Sequence, residues 1–217
     1  MPVLRNKEKS ILYIHTPKTG GAYIEDFFKA NGFKMTYWTS IIDPIERCTA
    51  QHYHMKILNQ LFDFSKFNFI FMTVRNPISR LVSEYNWLIK KRKILSPSIS
   101  FEEFLKKTLE DYNKNPYLYD NHIRPQTEFA KKGVTVFKQE NQFDEKWAER
   151  LETLIGIEFK TKEVVKTQNS PDFHKKLTLG DVDPAVVKAV NDFYHLDFKN
   201  FNYDPEEAWN SYGIHLE

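Results

Sequence analysis

The fold class that this sequence predicts is α/β, a three-layer domain around a central, mainly parallel sheet, and three observations carry the prediction. The apolar run ILYI at 11–14 reads as a strand, and FNFIFMTV at 67–74 is apolar enough to be buried on both faces, as parallel strands are. Each run leads through a turn into an amphipathic helix, so the order strand, turn, helix occurs twice. Apolar side chains make up 41% of 217 residues, enough for a full core in one domain spanning 1–217.

The elements follow in order. After the first strand, Ile24, Phe27 and Phe28 recur at helical spacing until Asn31 and Gly32 stop the helix. After the second, Pro77 takes a first helical position, and Ile78, Leu81, Val82, Tyr85, Leu88 and Ile89 make a core stripe. The basic run 90–93 and the SPS behind it break that helix, and Ser100 with Glu103 is a capping-box signature for the next. VTVF at 134–137 is a third strand, 143–155 a helix closed by Gly156, and Asp183-Pro184 opens a last long helix through about Leu196. The stretches 33–51 and 160–181 carry no readable period, and the second is long enough to be a functional loop.

Charge and cysteine usage bound the partners. The 31 basic and 29 acidic side chains leave a net charge of +2, so no global field gathers nucleic acid or a membrane surface, and an anion site has to be local. Cys48 is the single cysteine, which excludes an internal disulfide and a cysteine-cluster metal site and suits a reducing compartment. No stretch approaches a membrane span, and MPVLRNKEKS runs into the first strand without an apolar signal segment, so the expected location is cytoplasmic. The oligomeric state is not legible.

The stretch HTPKTGGAY at 15–23 joins the first strand to its helix. Glycines there let backbone N–H groups approach an anion, the helix points its positive end at the same spot, and Lys18 adds a full charge. The lysine precedes the glycine pair, the reverse of the phosphate-binding order Gly-Lys-Ser/Thr, which argues against an ordinary ATP kinase. The plain alternative is a tight turn with a solvent-facing lysine. In the second unit Arg75 ends the strand, and Ser79, Arg80 and Ser83 fall on the helix face opposite the apolar stripe. Open parallel sheets bind ligands at the carboxyl ends of their strands, so two anion sites along one edge are expected, as suits a nucleotide with phosphates at both ends.

PKTGG after one strand and VRNPISRLVSEY after another resemble the sulfotransferases, in particular the branch with carbohydrate 2-O- and 6-O-sulfotransferases and many bacterial relatives. HIRPQTEFA at 122–130, VFKQENQFDE at 136–145 and VNDFYHLDFKNFNY at 190–203 are similar to that branch too, so the likeness covers most of the chain. It implies the P-loop nucleotide-hydrolase-like sulfotransferase fold, 3′-phosphoadenosine 5′-phosphosulfate (PAPS) as donor, and no metal. By the same resemblance Lys18, Thr19, Gly20 and Gly21 hold the 5′-phosphosulfate, with Ala22 and Tyr23 beside them, and Arg75 and Ser83 hold the 3′-phosphate. Arg80 is a candidate for the second group, and Lys166 with Asn169 in KTQNSP is a candidate to close over the 3′-phosphate side, a solvated loop being the alternative. One departure stands out: the family usually has threonine or serine where this chain has Ala22, so a donor-facing hydroxyl is missing.

Sulfuryl transfer needs in-line attack by an acceptor hydroxyl, removal of its proton, and stabilisation of charge on the departing phosphate oxygen. Histidine suits the proton step. QHYHMKIL at 51–58 lies where the carbohydrate-acting branch places its base, which selects His52, with His54 as fallback base or acceptor contact; two ordinary surface histidines are the alternative. A His-x-His metal site lacks a third ligand placed by sequence. Arg124 and Gln126 are candidates for the acceptor cleft, or else a helix cap and a surface ion pair. Trp38, Trp87 and Trp147 suit sugar stacking but are read first as core. The resulting expectation is a PAPS-dependent enzyme acting on a hydroxyl of a glycan, with His52 as base and Lys18 on the leaving phosphate. The alternatives are a nucleotide-binding protein of the same fold without turnover, which Ala22 favours, and a nucleotide-dependent kinase.

Overall fold

The computed structural model describes residues 2–141, 143–162 and 182–213. In chain order these form β1 (Val3–Arg5), β2 (Ser10–Ile14), α1 (Gly21–Ala30), β3 (Lys34–Thr36), α2 (Met55–Leu61), β4 (Phe69–Val74), α3 (Pro77–Lys90) and α4 (Phe101–Lys114). There follow the single turn α5 (Leu118–Asn121), β5 (Thr135–Lys138), α6 (Glu145–Ile155), α7 (Pro184–Phe193), α8 (His195–Asn200) and α9 (Pro205–Asn210). They fall into two compact units, one drawn from Met1–Val74 and Glu128–Asn169, the other from Arg75–Thr127 and Ser170–Glu217.

The first unit holds a five-stranded sheet in the order β3-β1-β2-β4-β5. β2, β4 and β5 are parallel, with Ile14 opposite Met72 and Val74 opposite Lys138, whereas β1 runs antiparallel to both β2 and β3. The parallel half contains the three strands that the apolar runs predict. β1 and β3 have three residues each, too few to display a period of two, and their place at the sheet comes from pairing. Ile24, Phe27 and Phe28 of α1 pack with Tyr13, Phe71, Phe137 and with Trp147 and Leu151 of α6 on one face. The alternate strand positions Leu12, Ile14, Met72 and Val74 are equally inaccessible, so both faces are covered, as a three-layer arrangement requires. α1 ends as its sequence predicts: Asn31 donates through Nδ2 to the Phe27 carbonyl at 3.0 Å, and Gly32 takes φ +80°.

The second unit is helical. Ile78, Leu81, Val82 and Leu88 of α3 form a core with Phe101, Phe104 and Leu105 of α4 and Val186, Val187 and Val190 of α7. Asn76 caps α3 by accepting from Ile78 and Ser79 N–H, with Pro77 at the first position, and Ser100 and Glu103 close the capping box of α4.

The long helix expected from Asp183 to about Leu196 is two helices. The chain breaks at Tyr194 (φ −100°, ψ 16°), whose buried phenol donates to the Ile123 carbonyl at 2.7 Å. The break sets the course of α8, in which the wholly buried Asp197 accepts from Gln126 N–H and Thr127 N–H, each at 2.8 Å. Gln126 in turn clamps the Arg75 backbone, its Oε1 accepting from Arg75 N–H at 2.9 Å and its Nε2 donating to Arg75 O at 2.7 Å. Burial pushes the Asp197 carboxyl up, against the charge of Arg80 and the two N–H donors. Replacing Asp197 by alanine strands two buried N–H groups, so Asp197→Ala should lose about 3–5 kcal/mol in urea unfolding. Asp192→Ala, which removes an exposed partner of Lys188, should stay within about 0.5 kcal/mol.

Candidate active site

β2 and β4 are parallel neighbours, so their carboxyl ends lie side by side in the first unit. The loop leaving β2 is tightly wound. Lys18 takes φ +67° and Gly20 φ +88°, a left-handed conformation that is uncommon for lysine and concentrates at functional sites. Thr19 stands one residue before the Gly20 cap position, yet its hydroxyl does not cap α1. It turns inward, donating to Thr16 O at 2.7 Å and lying 2.7 Å from Thr73 Oγ1, itself 2.8 Å from the Tyr13 hydroxyl. Burial pushes the Tyr13 phenol well above its ordinary range, so this network is neutral.

No side chain caps α1, while α3, α4, α6 and α7, the other described helices of ten residues or more, are capped by Asn76, Ser100, Asp144 and Asp183. Among the described residues, no acceptor meets the N–H groups of Gly21 and Ala22. An open helix start next to a lysine is an anion-binding arrangement. Ala22 is exposed on this first turn, and Tyr23 is partly buried, stacked on Phe143 with centroids 5.5 Å apart.

The two glycines serve different contacts. A Cβ on Gly20 would sit 2.6 Å from the Phe143 ring, and the positive φ excludes most other residues there. A Cβ on Gly21 would sit 2.0 Å from Nε2 of His15, so the second glycine makes room for an imidazole as well as for the backbone. The His15 ring stacks on Tyr13 (5.5 Å between centroids, 15° between planes) and meets His52 edge-on at 5.1 Å. Its Nδ1 stands 3.1 Å from Glu25 Oε1, an ion-pair distance off the line of a hydrogen bond. Trp38 Nε1 donates to the other carboxylate oxygen at 2.9 Å. Burial raises the Glu25 carboxyl, but contact with His15 and then the Trp38 donor outweigh it and leave Glu25 below the usual carboxylate range. This cluster was not anticipated from the sequence. Its one visible trace is the i, i+4 spacing of Gly21 and Glu25, which stacks a gap and an acid on one helix face.

Both histidines of QHYH are buried, His52 with 5% and His54 with 4% exposure, which rules out two surface residues. His52 ends the 3-10 turn Ala50–His52 with Nδ1 3.3 Å from Thr49 Oγ1; His54 is the N-cap residue of α2, its ring near Phe129.

In the second unit, Arg75 is partly buried with its backbone clamped as above, and Ser83 is partly buried one face along α3. Arg80 is turned inward: its guanidinium is 1% exposed, donates to Ile123 O (3.3 Å) and Arg124 O (2.8 Å), and lies over the Tyr194 ring. The expectation that it shares an outer face with Ser79 and Ser83 is corrected accordingly, since its charge serves carbonyls of the 123–124 turn. Arg124 is also buried, donating to Asn121 Oδ1 and Pro116 O at 2.9 Å each. A second histidine–carboxylate contact escaped the sequence reading, His122 Nδ1 at 2.6 Å from the buried Glu84. Trp147 is core, whereas Trp38 is half-exposed, contrary to the core reading. Lys166 and Asn169 lie outside the described residues.

Residues 1–204 match the model of a family described as the sulfotransferase family. The chain belongs to that family. No curated protein and no solved structure matches it. As a sulfotransferase, it has the α/β, P-loop-like fold of the family, built on the mixed five-stranded sheet. Transfer of a sulfuryl group to a hydroxyl acceptor is the family's reaction. No described helix is long and apolar enough to cross a membrane.

The packing of His15 on this sulfotransferase's loop gives a direct test. Gly21→Ala should cost about 1–3 kcal/mol by overpacking a ring held between Tyr13 and Glu25. In combination with His15→Ala the loss should be smaller than the sum of the single losses, as read by denaturant unfolding of all four members of the cycle.

Proposed function

We propose that this sulfotransferase uses PAPS as donor and acts on a hydroxyl of a carbohydrate. The observation that carries the donor reading is the uncapped start of α1 behind Lys18, in a chain whose other long described helices are all side-chain capped. Three of the four residues before α1 contribute backbone or charge of the right kind for a sulfated phosphate: Lys18 a cation, Thr19 and Gly20 main-chain N–H groups. The Thr19 hydroxyl is already used inside the protein, so its contribution is through the backbone. The donor supplies the sulfuryl group. In this reading Lys18 stabilises the charge that grows on the leaving phosphate, and Arg75 with Ser83 holds the 3′-phosphate. Arg80, Gln126 and Arg124 act as positioning residues, because Nη2 of Arg80, the Gln126 amide and Nη2 of Arg124 bond backbone of the second unit and Nε of Arg124 bonds Asn121 Oδ1.

His52 takes the acceptor's proton. Its burial and the contact of Nδ1 with Thr49 Oγ1 support a fixed ring orientation, which a base needs. His54, equally buried, contacts the acceptor side. Half-exposed Trp38, with its indole held by Glu25, supports a sugar as the acceptor, since a rigid aromatic face suits the apolar face of a pyranose. Buried Cys48, outside any disulfide, is in keeping with a reducing compartment such as the cytoplasm. A second reading, nucleotide binding without turnover, draws on Ala22, exposed where the family usually has a hydroxyl.

Incubation with PAPS and a glycan panel, followed by mass spectrometry, separates the two: a product heavier by one SO3 supports the enzyme, and nucleotide binding with no such product supports the second reading. In that assay His52→Ala should lose about 10²- to 10⁴-fold in turnover with nucleotide affinity nearly unchanged, and His54→Ala should lose less. The reverse ranking would make His54 the base. The unmutated chain should bind adenosine 3′,5′-bisphosphate more tightly than AMP by about 1.5–3 kcal/mol, and calorimetry should find that gap narrowed in Arg75→Ala.

A further inference from the structure

We propose that His15 is a donor-binding residue, whose Nδ1 side faces Glu25 and whose Nε2–H is offered to the 5′-phosphosulfate at the first turn of α1. The proposal rests on the donor reading above. It adds a second hydrogen-bonding side chain to the loop that carries Lys18.

Placement is the first argument. Nε2 is the atom closest to the missing Cβ of Gly21, so the ring edge lies against the backbone of the first residue of α1, where the N–H groups are open. Orientation is the second. With Nδ1 facing Glu25 at 3.1 Å, Nε2 is the nitrogen left to face the loop, and among the described residues it has no hydrogen-bond partner. The Glu25 contact is the third. The Glu25 side chain is 8% exposed, with Nδ1 of His15 3.1 Å from one oxygen and Trp38 Nε1 donating to the other at 2.9 Å, and this buried contact keeps the ring turned with Nε2 toward the loop. That Glu25 lies below the usual carboxylate range agrees with this.

The groups facing His15 come from three elements. Tyr13 stacks on it from β2 as a neutral phenol, Glu25 faces it from α1, and His52 meets it from the turn before α2.

Calorimetry with adenosine 3′,5′-bisphosphate and with adenosine 3′-phosphate isolates the 5′ end. In the unmutated protein the bisphosphate should bind more tightly than the 3′-phosphate. His15→Asn should narrow that advantage about tenfold, and Glu25→Gln should weaken the bisphosphate but spare the 3′-phosphate. An advantage unchanged in His15→Asn, with the 3′-phosphate still bound to show that the variant is folded, overturns the proposal. Equal weakening of both nucleotides in His15→Asn also overturns it and leaves His15 a packing residue. If the unmutated chain binds neither nucleotide, the donor reading itself falls, and this proposal with it.

Discussion

The start of α1 is the constraint around which the first unit is arranged. A helix leaves its first N–H groups without intrahelical acceptors, and a nearby serine, threonine, aspartate or asparagine ordinarily satisfies them. Here a threonine is at hand, and its hydroxyl is committed to Thr16 O and Thr73. The next two residues are glycines, one in a left-handed conformation and one pressed against an imidazole. The loop thus withholds every side-chain cap from the helix and surrounds its open end with Lys18 and His15. The uncapped turn forgoes roughly 1 kcal/mol of local stability, a typical worth for an N-cap. The aromatic packing of α1 on Phe71, Phe137 and Trp147 carries the helix regardless.

The second unit depends on buried charge. Arg80, Glu84 and Asp197 are each 1% exposed or less, and their hydrogen bonds run to backbone or to His122. Such groups are costly to bury and costlier to leave unpaired, so they act as pins with one acceptable geometry. The path from Asp197 through Gln126 to the Arg75 backbone shows the consequence: a carboxylate in α8 determines where the main chain at Arg75 sits. Tyr119, Asp120 and Asn121, three consecutive left-handed residues just before this turn, are further strain held in place by the same framework, since Asn121 Oδ1 is the acceptor for Arg124.

Much of the architecture was legible because the elements in question repeat. The apolar runs of β2 and β4, the stripe on α3 and the capping box of α4 span enough residues for a period or a cap to appear, and the structure has each of them. β1 and β3 were not legible, for three residues show no period, and the break at Tyr194 was not, because nothing local forbids the helix from continuing. The donor loop was legible as a motif, while the purpose of its second glycine was not, since the ring that fills the space belongs to a residue on the other side of the turn.

The sequence by itself determined that this chain is an α/β protein with a lysine and two glycines at the end of a buried strand, and its order of motifs determined the family. These are local or ordered features, written in neighbouring residues. The tertiary structure alone decided which polar groups face inward: that Arg80 and Gln126 spend their hydrogen bonds on backbone, that Thr19 cannot cap its helix, and that His15 and Glu25 meet beneath Gly21. Whether a polar side chain faces solvent or the interior depends on acceptors and charges brought near it from distant parts of the chain. No spacing along the sequence carries that information.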